Sequence, residues 1–350
     1  MKRGTDIAEA VRVLRAGGLV AFPTETVYGL GADASRDEAA AKIFAVKGRP
    51  AVHPLIVHLP SDSRIEGWAL EIPENAMRLA RKAWPGPLTL ILKRGHRVAK
   101  ATTGGGDTVG LRVPSHPMAQ QLLHAFGGGI AAPSANRFGA VSPTTADHVA
   151  ADLGDDVDYI LDGGACSVGV ESTIVDFSRG RPVLLRPGGM TRDAIERMVG
   201  EALLEPDEIE EAAPAAPGTL ASHYAPHAEV IAVEPHEVPA TVMRIAAELS
   251  AKPEPTTEAS PSGRVKRATM VRERIAVLAP AAEFPAWGPI AARAYPLPDD
   301  LPGMARELYA ALRDLDGMGV EVVIATLPPA VGLGEAVGDR LRRAAGPRSP

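Results

Sequence analysis

The 350 residues are 45% hydrophobic and 23% charged, which fits a soluble globular protein with room for two domains. A net charge of -6 argues against tight, nonspecific nucleic-acid binding through overall charge, and 4% aromatic content makes base-stacking platforms a poor fit. The single cysteine, Cys166, rules out an intramolecular disulfide and a zinc–cysteine cluster. With no signal-like start and no apolar run long enough for a bilayer, the chain reads as cytoplasmic.

Ile7 to Ala16 has apolar residues at helical spacing and stops at Gly17-Gly18. Leu19 to Phe22 reads as a short buried strand. It runs into Pro23-Thr24-Glu25-Thr26-Val27-Tyr28-Gly29-Leu30-Gly31, where hydroxyls, a carboxylate and a phenol gather after a strand end. Ligands sit at such places in open α/β sheets, and equally such a turn can satisfy its own backbone. Asp37 to Val46 is a helix that delivers Lys47-Gly48-Arg49-Pro50 to a stiff turn, followed by His53 and the strand Leu55 to Leu59 with His58 inside it. Lys and Arg on one turn suit a phosphate or carboxylate, or else complement the negative end of their helix.

Pro73 to Ala83 reads as a helix, Leu88 to Leu92 as a strand and Ala101 to Asp107 as a flexible loop. Thr108 to Pro114 is a strand with Arg112 in an apolar run, and a buried cation is costly unless paired, so an acidic side chain or a substrate anion must meet it. Another strand ends at Ala132 and opens into Pro133-Ser134-Ala135-Asn136. Ser142-Pro143-Thr144 has the form of a helix start with Ser142 as N-cap. Strands follow at Tyr159 to Leu161, Glu171 to Asp176 with Ser172 at its mouth, and Val183 to Arg186, then a helix from Thr191 to Val199. Strands that follow one another directly predict a mixed sheet.

Residues 205–227 are acidic and rich in Ala and Pro, then carry His223 and Tyr224, which have no core to fill in a linker and suit docking. The remainder alternates strands (Glu229 to Val233, Ile275 to Leu278, Ala291 to Tyr295, Val320 to Ala325) with helices (Val242 to Leu249, Met304 to Leu315, Gly334 to Ala345), a small α/β unit with a parallel sheet. The domains expected are therefore 1–204, a linker 205–227 and 228–346, with 251–267 as a flexible loop.

Pro23-Thr24-Glu25-Thr26-Val27-Tyr28-Gly29-Leu30, Lys47-Gly48-Arg49 with Pro54-Leu55, Pro85-Gly86-Pro87-Leu88-Thr89, Gly110-Leu111-Arg112-Val113-Pro114 and Pro133-Ser134-Ala135-Asn136 occur together, in this order. In these motifs the chain resembles the threonylcarbamoyl-adenylate synthases of the long form. The likeness runs over essentially its whole length, to Gly334-Glu335-Ala336-Val337-Gly338-Asp339-Arg340-Leu341.

The resemblance implies a YrdC-type catalytic domain, a twisted mixed sheet with a deep basic cleft, followed by a smaller Rossmann-like domain. It implies a nucleotidyltransferase that condenses L-threonine, bicarbonate and ATP into L-threonylcarbamoyl-adenylate and releases pyrophosphate. Other proteins, a tRNA threonylcarbamoyl-transfer complex, would then modify the adenosine beside the anticodon; neither a membrane nor stable nucleic-acid binding is expected. Thr26, His58, Arg112, Ala132 and Ser172 would hold threonine. Arg49, His53, Thr108, Ser134, Ser142, Arg186, Tyr224 and His223 would hold ATP. Lys47, Arg49, Ser134 and Asn136 would form the catalytic Lys-x-Arg and Ser-x-Asn pair of motifs. Magnesium would arrive with the triphosphate, without a protein metal cage. Replacing Arg112 would remove activity and leave the fold largely intact. The alternatives are an RNA-binding translation or ribosome-maturation module without catalysis, and a carbamoyl-phosphate-using relative. The missing zinc-finger cysteines count against the second.

Overall fold

The computed structural model describes residues 2–61, 65–209, 214–219, 223–251 and 271–347. The chain divides into two compact units, Met1–Leu220 and Ala221–Pro350. Among the described residues no helix is long and apolar enough to cross a membrane.

The first unit is built on an 11-stranded sheet of mixed direction. Its strands are β1 (Lys2–Gly4), β2 (Val20–Phe22), β3 (Gly29–Asp33), β4 (Ile56–His58), β5 (Ala69–Leu70), β6 (Leu88–Arg94), β7 (Thr108–Arg112), β8 (Ile130–Ala131), β9 (Tyr159–Leu161), β10 (Thr173–Asp176) and β11 (Val183–Arg186). They run in the order β1-β9-β2-β3-β8-β4-β7-β6-β10-β11, with β5 added beside β6. β4 lies parallel to β7 and β6 parallel to β10, whereas β6 and β7 are antiparallel.

Among the described residues six α-helices pack with this sheet: α1 (Ile7–Arg15), α2 (Asp37–Lys47), α3 (Glu74–Ala83), α4 (Pro117–Phe126), α5 (Ala146–Leu153) and α6 (Arg192–Val199). Local chemistry sets their ends. Asp6 caps α1 by accepting the Ala8 and Glu9 N–H groups, and Gly48, at φ 64°, closes α2 in the left-handed conformation that glycine takes without strain. One face of the sheet, with Val57, Leu90, Leu111 and Val175, packs into the main core beside Ile43, Leu79 and Ile195.

Besides the short strands β1 and β5, which the sequence reading lacks, three features depart from it. The glycine-rich stretch read as part of a turn contains strand β3. At Gly31 a Cβ would lie 2.8 Å from Ile130 Cγ2 and 2.9 Å from Phe22 Cε1, so the strand exists because that position is bare. Helix α4 was not foreseen, although Pro117 at its start and Gly127 at φ 75° after its end mark it. Helix α5 begins at Ala146 with Thr145 as its cap, not at Ser142. The Pro143 carbonyl instead accepts the Tyr28 N–H at 2.9 Å, pinning segment 142–144 beside the entry to β3.

The second unit holds a four-stranded sheet of β12 (Glu229–Val233), β13 (Ile275–Pro280), β14 (Arg293–Leu297) and β15 (Val322–Thr326), in the order β12-β15-β13-β14. Every pairing in it is parallel. Among the described residues, helices Val238–Ala251, Phe284–Trp287, Leu301–Gly317 and Leu333–Ala344 belong to it. Of the expected loop 251–267, residues 252–267 lie outside the described residues.

Candidate functional site

One register row organises the site. Across neighbouring strands Ile130 faces His58, His58 faces Arg112, Arg112 faces Thr89, Thr89 faces Ile174 and Ile174 faces Arg186. Side chains in register project to the same side of a sheet. A Cβ on Gly110, two residues before Arg112, would touch Ile91, Thr89 and Ile56, which places these on the face of Arg112. His58 and Arg112 are the last residues of their parallel strands, so both stand at carboxyl strand ends, where ligands bind in open α/β sheets.

Of the two partners expected for Arg112, the acidic side chain is present. Glu25, from the turn after β2, sets Oε1 2.8 Å from Arg112 Nη2, and the two side chains are 6% and 5% exposed. The other Glu25 oxygen accepts the Ser115 N–H at 3.1 Å. The ion pair lies off the hydrogen-bond axis: Glu25 Oε1, Arg112 Nη2 and Arg112 Nε all lack a hydrogen-bond partner, as does His58 Nδ1. The Nε–Nη2 edge of a guanidinium is a two-donor seat for a carboxylate. Thr26 is buried in the same turn, its hydroxyl 2.8 Å from that of Thr24, which accepts the Val27 N–H and so fixes the turn.

Next along the row, Thr89 Oγ1 and Ser172 Oγ lie 2.8 Å apart. Arg186 is buried and donates through Nη2 to the Ser172 carbonyl at 2.8 Å and through Nη1 to the Pro217 carbonyl at 2.8 Å. Ala216 packs with Ile56, Ile91 and Ile174, so this segment lies on the polar-row face. Ser142, expected as a helix cap, is buried and donates to Glu171 Oε1 at 2.6 Å. The Ala132 N–H is taken by the Ile56 carbonyl at 2.8 Å.

The two basic and amide motifs also meet. Lys47, 3% exposed, reaches from the end of α2 to the carbonyls of Ser134 and Asn136, the first at 2.6 Å, and its own carbonyl accepts the Phe138 N–H at 2.8 Å. Complementing the helix end is thus not what occupies it. Asn136 Nδ2 donates to the Arg137 and Ala140 carbonyls, both at 2.8 Å, and its Oδ1 has no partner. Arg49 is buried, donates to the Pro54 carbonyl at 3.0 Å and sits 5.6 Å from the centre of the Phe138 ring, against which His53 also packs. Ser134 is half-buried at the head of this turn. Thr108 is the exception: it begins β7, four residues and about 13 Å of strand from Arg112.

His223 and Tyr224 belong to the second unit, and there they do have a core. Tyr224 stacks on Tyr309 with centroids 5.8 Å apart, the Arg340 guanidinium lies 5.0 Å from its ring centre, and the His223 N–H donates to the Arg343 carbonyl at 3.2 Å. The premise that a linker His and Tyr have nothing to pack against is therefore corrected.

Charge in the row is narrowly set. Burial, with Arg112 beside it, pushes the His58 imidazole down to about 3. Burial lowers His116 and His53 as well, and raises the Cys166 thiol to about 12. Burial and then the neighbouring Arg49 pull Lys47 well below its usual value, against which its two carbonyl acceptors favour the charged form. The depressed His58 has a consequence for stability. The unfolded chain takes up this proton near 6.5 and the folded one near 3, so its neutral form imposes no penalty above 6.5 and destabilises the fold progressively as pH falls toward 3. His58→Gln is expected to flatten the drop in Tm between pH 6.5 and 4 relative to wild type, recovering on the order of 3 kcal/mol at pH 4. Parallel melting curves against pH check this, and equal slopes would show that His58 is not the titrating group.

Sequence reading had given no role to Glu25, Thr89, Glu171 or Pro217. Only Glu25 carried a signal: an acid in a hydroxyl-rich strand-end turn, in a chain whose Arg112 sits in an apolar strand and calls for a partner.

Among the described residues no group of three His, Cys, Asp or Glu side chains is placed to hold a metal ion. A family profile described as "Telomere recombination" matches residues 12–188, and one described as threonylcarbamoyl-AMP synthase, C-terminal domain, matches residues 190–346. The threonylcarbamoyl-AMP synthase of Pyrococcus abyssi is 42% identical over 347 residues, covering 97% of this chain and 94% of that one. The protein of the same name from Bacillus subtilis is 38% identical over 348 residues, covering 98% and 93%. A crystal structure of P. abyssi Sua5 complexed with L-threonine matches with a TM-score of 0.84 and 39% identity, covering 98% of this chain and 96% of that one. Both halves and the whole length thus agree, and the chain belongs to the threonylcarbamoyl-AMP synthase family in its two-domain form.

Proposed function

We propose that this enzyme is a nucleotidyltransferase that makes L-threonylcarbamoyl-adenylate from L-threonine, bicarbonate and ATP, releasing pyrophosphate. The observation that carries this reading is the buried Arg112 edge, two donors without a hydrogen-bond partner, beside a neutral His58 on a carboxyl strand end. That seat fits an amino-acid carboxylate, and the matching Sua5 structure was solved with L-threonine. The Thr26 and Ser172 hydroxyls and the Ala132 carbonyl are the groups proposed as partners for the threonine hydroxyl and amine.

The ammonium of threonine releases a proton to solvent, and the resulting amine forms a C–N bond to bicarbonate carbon, with loss of water, giving a carbamate. A carbamate oxygen then attacks the α-phosphorus of ATP, the bond to the bridging oxygen breaks, and pyrophosphate leaves with its electron pair. Both reactants are anionic, so fixed cations and polar groups do more than a strong base would. Arg49, His53, Ser134, Ser142 and Arg186 are the groups proposed to orient the nucleotide, with Lys47 and Asn136 holding the Ser134 turn. Thr108 is kept as a nucleotide contact only for a part of ATP lying toward the start of β7. Glu25 is paired with Arg112 and Glu171 with Ser142. Magnesium would be held mainly by the triphosphate and would neutralise its charge. The product would pass to a tRNA threonylcarbamoyl-transfer complex in the cytoplasm.

The test is pyrophosphate release from magnesium–ATP with and without threonine and bicarbonate. Release that needs both supports the synthase. Release with carbamoyl phosphate in their place would replace it with the carbamoyl-transferring relative, and tight RNA binding without release would replace it with a binding module.

A further inference from the structure

We infer that Glu25 is a specificity-determining residue that makes the Arg112 seat accept a zwitterionic amino acid and discriminate against a plain carboxylate anion. The inference rests on Arg112 receiving the substrate carboxylate. Glu25 Oε1 lies 2.8 Å from Arg112 Nη2, and the second oxygen is held by the Ser115 N–H, so the carboxylate is fixed in place. Oε1 itself has no hydrogen-bond partner, although the residue is buried. A carboxylate placed only to neutralise Arg112 would be expected to form the two-pronged pair; this one faces Nη2 alone and off the hydrogen-bond axis, leaves Nε without a partner and keeps one oxygen without a donor.

Among the described residues, three titratable groups that feel the pair add no charge to it. His58 and His116 are held neutral by burial, and Cys166 is held as a thiol. Arg186, farther along the row, is directed at Ser172 and Pro217. The seat is therefore one guanidinium and one carboxylate, with no net charge. A plain carboxylate gains Arg112 but meets Glu25 at nearly the same distance. An amino acid brings an ammonium that offsets Glu25 while its carboxylate takes the Arg112 edge.

The test compares L-threonine with 3-hydroxybutyrate, which has the same carbon skeleton and hydroxyl but no amine. Calorimetric titration of wild type is expected to show threonine bound at least about tenfold more tightly. In Glu25→Gln this ratio is expected to collapse toward one, through weaker threonine binding and equal or tighter 3-hydroxybutyrate binding, while Glu25→Asp retains most of the preference. Circular dichroism verifies that each variant is folded. An unchanged ratio in folded Glu25→Gln overturns the inference. Should that variant not fold, equal binding of the two ligands by wild type overturns it, and a preference of at least about tenfold in wild type that largely survives in Glu25→Asp supports it. Failure of wild type to bind threonine at all strikes the proposed function instead, so the two failures are distinct.

Discussion

Arg112→Ala is expected to abolish threonine-dependent pyrophosphate release and to lower stability by about 3–5 kcal/mol. The activity loss follows from the two donors on the Nε–Nη2 edge. Hydrogen bonds to charged groups contribute about 1.5–3 kcal/mol each, so losing both lowers kcat/KM by about 10²- to 10⁴-fold. The stability loss has a different origin. Glu25 is buried and its Oε1 lies 2.8 Å from Arg112, so removing the guanidinium leaves a buried carboxylate without its counter-charge. The sequence-based expectation of an intact fold omitted this partner and is revised. The double variant Glu25→Gln with Arg112→Ala separates the two effects: urea denaturation should show most of the stability restored, while activity stays absent. If the double variant is as unstable as the single one, the cost lies in lost packing of the Arg112 stem and not in the stranded charge. If Arg112→Ala retains near wild-type activity, Arg112 is not the carboxylate seat.

The strand ends were legible because their chemistry is local. A Pro or Gly stops an apolar run, and the polar residues that follow are adjacent in sequence, as in Ala132 to Asn136. What could not be read is which of these ends meet. Lys47 contacts Ser134 and Asn136, 87 and 89 residues away, and Glu25 pairs with Arg112 across a similar distance. Those meetings depend on the order β3-β8-β4-β7, which no local pattern encodes. Ser142 shows the opposite error. Ser-Pro before a helix is a sound capping signal, but Thr145 three residues later is an equally good cap, and the Ser142 hydroxyl gains a buried carboxylate instead. The glycines of β3 hid a strand because β-propensity scores side chains, whereas here space for Phe22 and Ile130 decides.

Lys47→Met is the second large effect, and it tests whether a lysine in a phosphate-like motif acts on phosphate or on protein. Its Nζ is buried and donates to the carbonyls of Ser134 and Asn136, two of the three bonds an ammonium can make. Methionine matches the length of the stem but offers no donor, so two buried carbonyls lose their partner at about 1–3 kcal/mol each. The variant is therefore expected to be less stable by about 2–6 kcal/mol, read from urea denaturation with an unchanged m-value. The Ser134–Asn136 turn should then lose its fixed shape, and a nucleotide-orienting group displaced by about an ångström can lower the rate on the order of 10²-fold. Because the charge is directed at carbonyls, kcat should fall more than ATP binding weakens. The opposite pattern, full stability with a large rise in KM for ATP, would mean that Lys47 leaves these carbonyls to bind the triphosphate directly.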